Sequence, residues 1–150
     1  MARKKELSQR DIVLAAMAAG AGTWFAPVHV QKLFFLVDKK IGKKLGGPFF
    51  NFVPYAYGPF DKAVYRTLER LQEGGLVEIV RVPYAPHRQY QLSVRGQSKG
   101  EAILGSLDEK ASDFLRRLAK YVSSTPFATL VSAIYEAYPS MKKNSIFVHR

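Results

Sequence analysis

Residues 60–96, FDKAVYRTLERLQEGGLVEIVRVPYAPHRQYQLSVRG, carry the pattern that decides the fold. Apolar side chains recur there at the spacing of one helix face, namely Phe60, Val64, Leu68 and Leu71. Gly74 follows as a helix stop, and an alternating run at 76–82 precedes a second extended run at 88–93. A helix followed by such a hairpin predicts a winged-helix unit, with its wing at about 76–93.

Two helices are expected ahead of this unit. Ser8 begins a capping-box pattern, which predicts a first helix at 9–19. Pro27 is typical of a first helical turn, and apolar residues at helical spacing predict a second helix at about 27–41, ended by Gly42. The helix of the winged unit would bury its apolar stripe on this second helix.

The segment 43–60 is rich in glycine, proline and aromatic residues. This composition predicts no helix. It favours a short extended piece, broken by Pro54, that lies on the core as an edge strand or an ordered loop. Successive rings can stack on single-stranded bases, but large rings fill interiors more often, so we favour core packing for this segment.

Three further helices are expected after the wing. A stretch at about 97–107 has helical spacing, but we expect Gly100 and Gly105 to interrupt it. Two amphipathic helices follow at about 109–138, and a basic tail occupies 139–150. Within the pair, Thr125 is the expected cap and Pro126 the expected first residue of the second helix.

The combined prediction is one mostly helical α+β domain over residues 1–150. It has a winged-helix-like core, a two-stranded wing and a basic N-terminal arm at 1–7. The two additional C-terminal helices either pack on the core or form the seam of a homodimer. Because 47% of the residues are hydrophobic, a chain of this length can fill one core of its own.

Composition excludes several classes of protein. The chain has no cysteine, which rules out disulfides, thiol catalysis and cysteine-ligated zinc. No apolar run approaches the roughly 18 residues of a membrane span, so we expect no membrane association. Polar residues follow the basic N-terminus where a signal peptide would carry its apolar block, and we therefore expect a cytoplasmic protein.

Positive charge is the first indication of a partner. The chain has 23 Lys and Arg against 12 Asp and Glu, a formal net charge of +11 and a pI near 10.0. This balance favours a polyanionic ligand, although some small proteins are basic for solubility alone. The largest cluster comprises Lys39, Lys40, Lys43 and Lys44.

Catalytic and metal-binding patterns are missing from the sequence. His29, His87 and His149 lie far apart, without the spacing of a zinc helix. The paired glycines do not carry the Gly-Lys-Ser or Gly-Lys-Thr ending of a phosphate loop, and the acidic residues are scattered. We therefore predict a non-enzymatic protein with no catalytic residue, cofactor or metal.

The winged-helix interpretation names specific nucleic-acid contacts. If the helix of the unit enters a DNA groove, Lys62, Tyr65 and Arg66 in its N-terminal half should reach bases. His87 and Arg88 at the wing tip should meet phosphate, and the lysine cluster at 39–44 would add contacts. The helix is nevertheless neutral, with three positive and three negative residues: Asp61, Lys62, Arg66, Glu69, Arg70 and Glu73.

Two family resemblances extend this interpretation. Residues 64–71, 75–78 and 90–96 resemble the winged-helix segment of MarR- and PadR-like regulators, in which a similar helix reads the major groove. A second resemblance, over roughly 24–145, rests on the segments Gln31-Lys32-Leu33-Phe34-Phe35, Tyr57-Gly58-Pro59-Phe60, Tyr138-Pro139 and Asn144-Ser145. These residues are similar to the Panacea (antitoxin-like) domain family, and that resemblance implies toxin neutralisation by protein binding.

Two functions therefore remain open at this point. The first is a transcriptional or defence-associated regulator that binds nucleic acid, with duplex DNA preferred over RNA. The alternative is an antitoxin-like or adaptor protein that binds a protein toxin or other partner. In that case the aromatic segment and the C-terminal helices would form the contact surface, and Ile146 and Phe147 in the tail would either dock on the chain or meet the partner.

Overall fold

Helix α1 lies at the centre of the molecule. The computed structural model describes residues 6–81 and 88–147, and α1 spans Gln9–Ala19, as predicted. Ser8 and Asp11 form the expected capping box at its start. Every residue from position 12 onward in this helix is buried. A helix that is apolar on all sides has to be surrounded, and the later helices pack around it.

The second helix is longer than expected. α2 spans Pro27–Val37, continues through a π-helical turn at Asp38–Gly42, and ends as the short helix α3 at Lys43–Leu45. The predicted stop at Gly42 is therefore wrong, as is the expectation that helix ends before residue 43. Gly46 ends the helix instead, because it adopts the left-handed conformation (φ 102°) typical of a helix C-terminus.

An antiparallel hairpin follows these helices. Its strands are β1 (Val53–Tyr55) and β2 (Gly58–Phe60), and Pro54 lies opposite Pro59. Pro54 does not break the extended piece, because a two-stranded sheet has open edges where a missing N–H is tolerated. The aromatic rings divide between two environments: Phe49 and Phe50 enter the core, whereas Tyr55 is half exposed.

The winged unit is completed by α4 (Lys62–Glu73), β3 (Val77–Arg81) and β4 (Arg88–Leu92). The tip at 82–87 lies outside the described residues. Phe25, between α1 and α2, exchanges two backbone hydrogen bonds of 2.8 and 2.9 Å with Tyr90, which adds a one-residue third strand. This helix, bridge, helix, helix and hairpin order is that of a winged helix, but the β1–β2 hairpin is inserted between the second and third helices.

The inner face of α4 differs from the prediction by one residue. Phe60 was expected on this face, but it belongs to β2, one residue ahead of the N-cap Asp61. Val64, Leu68 and Leu71 are buried as expected, and Thr67 completes the buried face of the helix. The hydroxyl of Thr67 donates to the carbonyl of Ala63, which satisfies it in the interior.

Three C-terminal helices complete a mostly helical α+β fold, as predicted. They are α5 (Val94–Ser106), α6 (Glu109–Ser124) and α7 (Phe127–Ala137), followed by a 3₁₀ turn at Pro139–Lys142. The cap prediction is off by one residue: Thr125 ends α6, and Pro126 is the N-cap of α7. The buried apolar residues from α1 to α7 form one core cluster.

The expected interruption of α5 is also wrong, because the helix runs through both of its later glycines. A Cβ on Gly100 would lie 2.4 Å from the Cβ of Ala18 and 2.4 Å from the carbonyl oxygen of Leu14. Gly100 is thus the point at which α5 lies against the backbone of α1. A Cβ on Gly105, by contrast, would meet nothing within 4 Å.

This contrast gives a matched pair of stability variants. Gly100→Ala should destabilise the protein by about 1–3 kcal/mol, because the methyl group meets main-chain atoms that cannot move aside. Gly105→Ala in the same helix should be neutral or stabilising by up to about 1 kcal/mol, since alanine favours the helix. Urea unfolding followed by circular dichroism measures both, and equal effects would contradict the close approach of α5 to α1.

Candidate binding site at a buried lysine

The residues predicted to read DNA do not share one surface. Lys62 and Arg66 are exposed on α4, but Tyr65 is turned inward. Its ring stacks on Tyr90 at 6.0 Å and contacts Phe60 edge-on at 5.8 Å, and its hydroxyl donates to the carbonyl of Pro27. Burial raises the pKa of Tyr65 to about 12. The expectation that Tyr65 reaches a base is therefore corrected: it is partly buried and packs against the core.

Arg88 is engaged by a partner within the protein. Its guanidinium forms an ion pair with Glu69 of α4 at 3.5 Å, and both side chains are about half exposed. This pair offsets the positive charge where the wing meets α4, although an exposed pair adds little stability. His87, the other predicted phosphate contact of the wing, lies outside the described residues.

Lys39, Lys40, Lys43 and Lys44 are all exposed and form a basic ridge on the π-helical turn and α3. The ammonium of Lys39 lies 5.7 Å from the ring centre of Phe35. Lys39 and Lys43 also line an open cavity of about 550 Å³ beside Phe50. The neighbouring acid, Asp38, forms no ion pair with these lysines within 4 Å. Its carboxylate accepts the N–H groups of Phe49 and Phe50 instead.

The tail docks on its own chain. The amide of Ile146 donates to the carbonyl of Ala56 at 2.8 Å. The ring of Phe147 contacts Phe127 at 5.8 Å and Tyr135 at 6.2 Å, both on α7. Of the two alternatives left open by the sequence, docking is the one observed for Phe147. The side chain of Ile146 remains 65% exposed.

Lys32 is the functional candidate that sequence reasoning missed. It lies on α2, its side chain is only 3% exposed, and its ammonium donates to the carbonyl of Pro59 at 3.2 Å. No carboxylate of the described residues lies within 4 Å of it. Desolvation therefore lowers the pKa of Lys32 from 10.5 to about 7.

The base of the hairpin is fixed to the helices by side chains that satisfy its backbone. The amide group of Gln31 both donates to and accepts from the backbone of Asp61, at 3.0 Å each. The carboxylate of Asp61 accepts the N–H groups of Asn51 and Ala63. The Asp61 carboxylate is thus held at the backbone, and it forms no ion pair with Lys32.

The turn of the hairpin lies directly on Lys32. Gly58 has φ 102°, and a Cβ there would lie 3.2 Å from Cε and 3.4 Å from Nζ of Lys32. It would also lie 3.5 Å from the ring of Tyr135. The hydroxyl of Tyr135 donates to Ser145, whose own hydroxyl donates to the carbonyl of Ala56. Glycine is needed here both for the backbone conformation and for the contact with Lys32.

Hairpin, α2 and α4 together enclose a cavity of about 240 Å³. Its walls are mainly aromatic or apolar, and they comprise Val28, Gln31, Lys32, Tyr55, Ala56, Tyr57, Gly58, Pro59, Phe60 and Tyr65. An apolar pocket with few polar groups is the usual form of a small binding site. Most of the motif residues that carry the Panacea resemblance meet at this cavity or at the contacts that hold it.

Other kinds of site receive no support from residues 6–81 and 88–147. That part of the chain contains no group of three histidine or acidic residues placed to hold a metal ion. None of its helices combines the length and apolar character that a bilayer crossing requires. In comparisons with known proteins, no family model matches the chain and no curated protein matches it. The Panacea and winged-helix family resemblances therefore stay predictions.

The buried amine should make stability depend on pH. Between about pH 7 and 10.5 the unfolded chain holds a proton on Lys32 that the folded protein has lost, so stability rises with pH in that window. From pH 7 to 9 the wild type should gain about 2 kcal/mol relative to Lys32→Met. Lys99→Met, the same change at an exposed position of α5, should keep the wild-type slope. The unfolding free energies are measured with urea at each pH. The same pH dependence in wild type and Lys32→Met would contradict the desolvation of Lys32.

Proposed function

We propose that the chain is a non-enzymatic, antitoxin-like or adaptor protein that acts by binding a protein partner. One observation carries this proposal. A set of exposed apolar side chains surrounds the turn of the hairpin, and we call it the hairpin face: Val53, Tyr55, Tyr57, Phe127 and Ile146. Large contiguous apolar patches on a monomeric protein usually mark a binding site, whereas single exposed apolar residues do not.

Contacts within the hairpin face support its continuity. The rings of Tyr57 and Phe127 meet edge-on at 5.3 Å. Ile146 follows directly from a hydrogen bond to Ala56, in the turn between Tyr55 and Tyr57. Tyrosine and phenylalanine are also the residue types that interface centres favour.

The charge of the protein indicates the chemistry of the partner. The net charge is +11. Of the many basic side chains in the described residues, only those of Arg88 and Arg116 form ion pairs. An acidic partner would therefore be steered toward this protein over long distances. An acidic protein that presents an apolar or aromatic anchor is the partner that fits the hairpin face.

The inserted hairpin also argues against α4 as a DNA-reading helix. In a helix-turn-helix, the N-terminal part of the second helix must be open to the groove. Here the hairpin precedes α4 directly, and Phe60 lies against Tyr65 in its second turn. Lys62 and Arg66 stay exposed one turn apart on α4, but Glu69 follows them on the same helix, which is neutral when its N-cap Asp61 is included.

Nucleic-acid binding is the second candidate, and the basic ridge is the specific observation that favours it. Its four lysines are exposed, and none of them forms an ion pair with another described residue. Lysines in this arrangement bind phosphates without reading sequence. Duplex DNA bound through the ridge would thus be a non-specific ligand and not an operator.

Protein binding is tested with a matched pair of variants. Val53 and Val94 are both exposed valines, but Val53 lies on the hairpin face and Val94 lies on α5. Val53→Glu should reduce capture of an acidic protein from nuclease-treated host extract by about tenfold or more, because a charge replaces an apolar contact. Val94→Glu should capture it like the wild type. Quantitative mass spectrometry of the bound fraction measures both.

The partner found in this way should then be purified and its affinity for the three proteins measured by calorimetry. Equal affinities for wild type and Val53→Glu would contradict binding through the hairpin face. So would a partner that is lost equally in both valine variants, since that would indicate a general effect of added negative charge.

Nucleic-acid binding is tested by fluorescence anisotropy with a duplex of random sequence across a salt series. Changing the four lysines of the basic ridge to alanine should weaken binding and lower the log–log salt slope by about 0.9 for each phosphate that the variant no longer neutralises. Lys62→Ala/Arg66→Ala should have a smaller effect. A larger effect of the α4 variant would restore α4 as the DNA-binding element, and no binding even at low salt would exclude the second candidate.

A further inference from the structure

We propose that the cavity at Lys32 binds a carboxylate, with the carboxylate oxygens on the Lys32 ammonium and an apolar or aromatic body against the tyrosine walls. The carboxylate that we favour belongs to the protein partner, and in this respect the inference rests on the proposed function. A free small aromatic carboxylate has the same chemistry and is the other source.

Lys32 has an incomplete set of hydrogen-bond acceptors around its ammonium group. An ammonium group has three N–H donors, and among the described residues the acceptor of its hydrogen bond is the carbonyl of Pro59. A charge this deeply buried is costly unless it is paired. A methionine would fill a similar volume without that cost. The missing component is therefore an acceptor, and a negatively charged one compensates most fully.

The other polar groups of the cavity do not accept a hydrogen bond from Lys32 among the described residues. The amide of Gln31 is used by the backbone of Asp61 in both directions. The hydroxyl of Tyr65 is used by the carbonyl of Pro27. The titratable side chains that line the cavity are otherwise tyrosines, Tyr55 and Tyr57, and the ring of Tyr135 lies close to the same side of Gly58 as Lys32. An incoming ligand must bring the acceptor itself.

The shape and position of the cavity also support the proposal. A volume of about 240 Å³ accommodates one amino-acid side chain or a ligand of similar size. Tyr55 and Tyr57 line the cavity and also belong to the hairpin face. A partner docked on that face therefore meets the mouth of the cavity, where one acidic residue next to its apolar anchor would complete the site.

The direct test uses 3-phenylpropionate and its neutral amide, which have nearly the same shape. Titration is followed through the backbone amide resonances of Tyr57 and Gly58 at pH 6. We expect a millimolar Kd for the carboxylate, as is typical of so small a ligand, and binding of the amide at least about tenfold weaker. Lys32→Met should lose the preference, whereas Lys99→Met should retain it. Equal binding of the acid and the amide, or no saturation at about 20 mM, overturns the proposal.

A second arm needs only the wild type, in case Lys32→Met fails to fold. The carboxylate binds the protonated lysine, so its affinity should fall about tenfold between pH 6 and pH 8. Binding elsewhere on the basic surface would not follow this titration. A pH-independent Kd over that range overturns the proposal without any variant.

Competition with the captured partner separates the two sources. Displacement of the partner by 3-phenylpropionate, together with its loss in Lys32→Met, assigns the carboxylate to the partner. Carboxylate binding that leaves the partner in place assigns the cavity to a free ligand. If Val53→Glu loses the partner and no carboxylate binds, this inference fails and the proposed function stands. If the carboxylate binds and Val53→Glu keeps the partner, the proposed function fails and the carboxylate site stands.

Discussion

Lys32 donates a hydrogen bond to the carbonyl of Pro59 from a buried position of α2, directly ahead of the apolar run Leu33–Val37. This contact places the hairpin turn on the helix, and Gly58 beside Nζ has φ 102°, a conformation that favours glycine. The C-terminal segment is attached to the same turn, because the Ser145 hydroxyl and the Ile146 amide both donate to the carbonyl of Ala56. Helix α2, the hairpin and the C-terminal segment thus meet around one buried amine.

The inserted hairpin changes which surfaces of the winged-helix-like arrangement are exposed. The bridge between Phe25 and Tyr90 and the β3–β4 wing follow the usual order. The hairpin, however, precedes α4 directly, and Tyr65 packs between Phe60 of the hairpin and Tyr90 of the wing. Exposed aromatic surface lies on the insertion, and exposed positive charge lies on the basic ridge. Helix α4 carries exposed Lys62 and Arg66, but acidic residues of the same helix, Glu69 among them, offset their charge.

Local signals in the sequence were sufficient for most elements. The Ser8 capping box and the apolar spacing of α4 depend on neighbouring residues, and the structure confirms both. Gly100 and Gly42 were misjudged because glycine is both a helix breaker and a contact residue. Which role it plays is decided by a distant backbone, that of α1 for Gly100. The direction of Tyr65 likewise depends on an insertion whose packing no local pattern describes.

The candidate site was the least predictable part. A lysine at position 32 of an apolar helix ordinarily marks the solvent side, and amphipathic spacing cannot reveal that the hairpin covers that side. Two carboxylates that are scattered in the sequence, Asp38 and Asp61, both hold backbone amides of the aromatic segment. Their role depends on tertiary contacts 10 to 12 residues apart along the chain.

The central claim is that the hairpin removes the Lys32 amine from water, and the most direct test is a pH titration of its ¹³Cε resonance by NMR. The resonance is assigned by comparison with Lys32→Met. The structure predicts a midpoint of about 7 for this one lysine, well below its ordinary value of 10.5. A midpoint near 10.5 would show that Lys32 is solvated and would contradict both the closed hairpin and the binding site built on it.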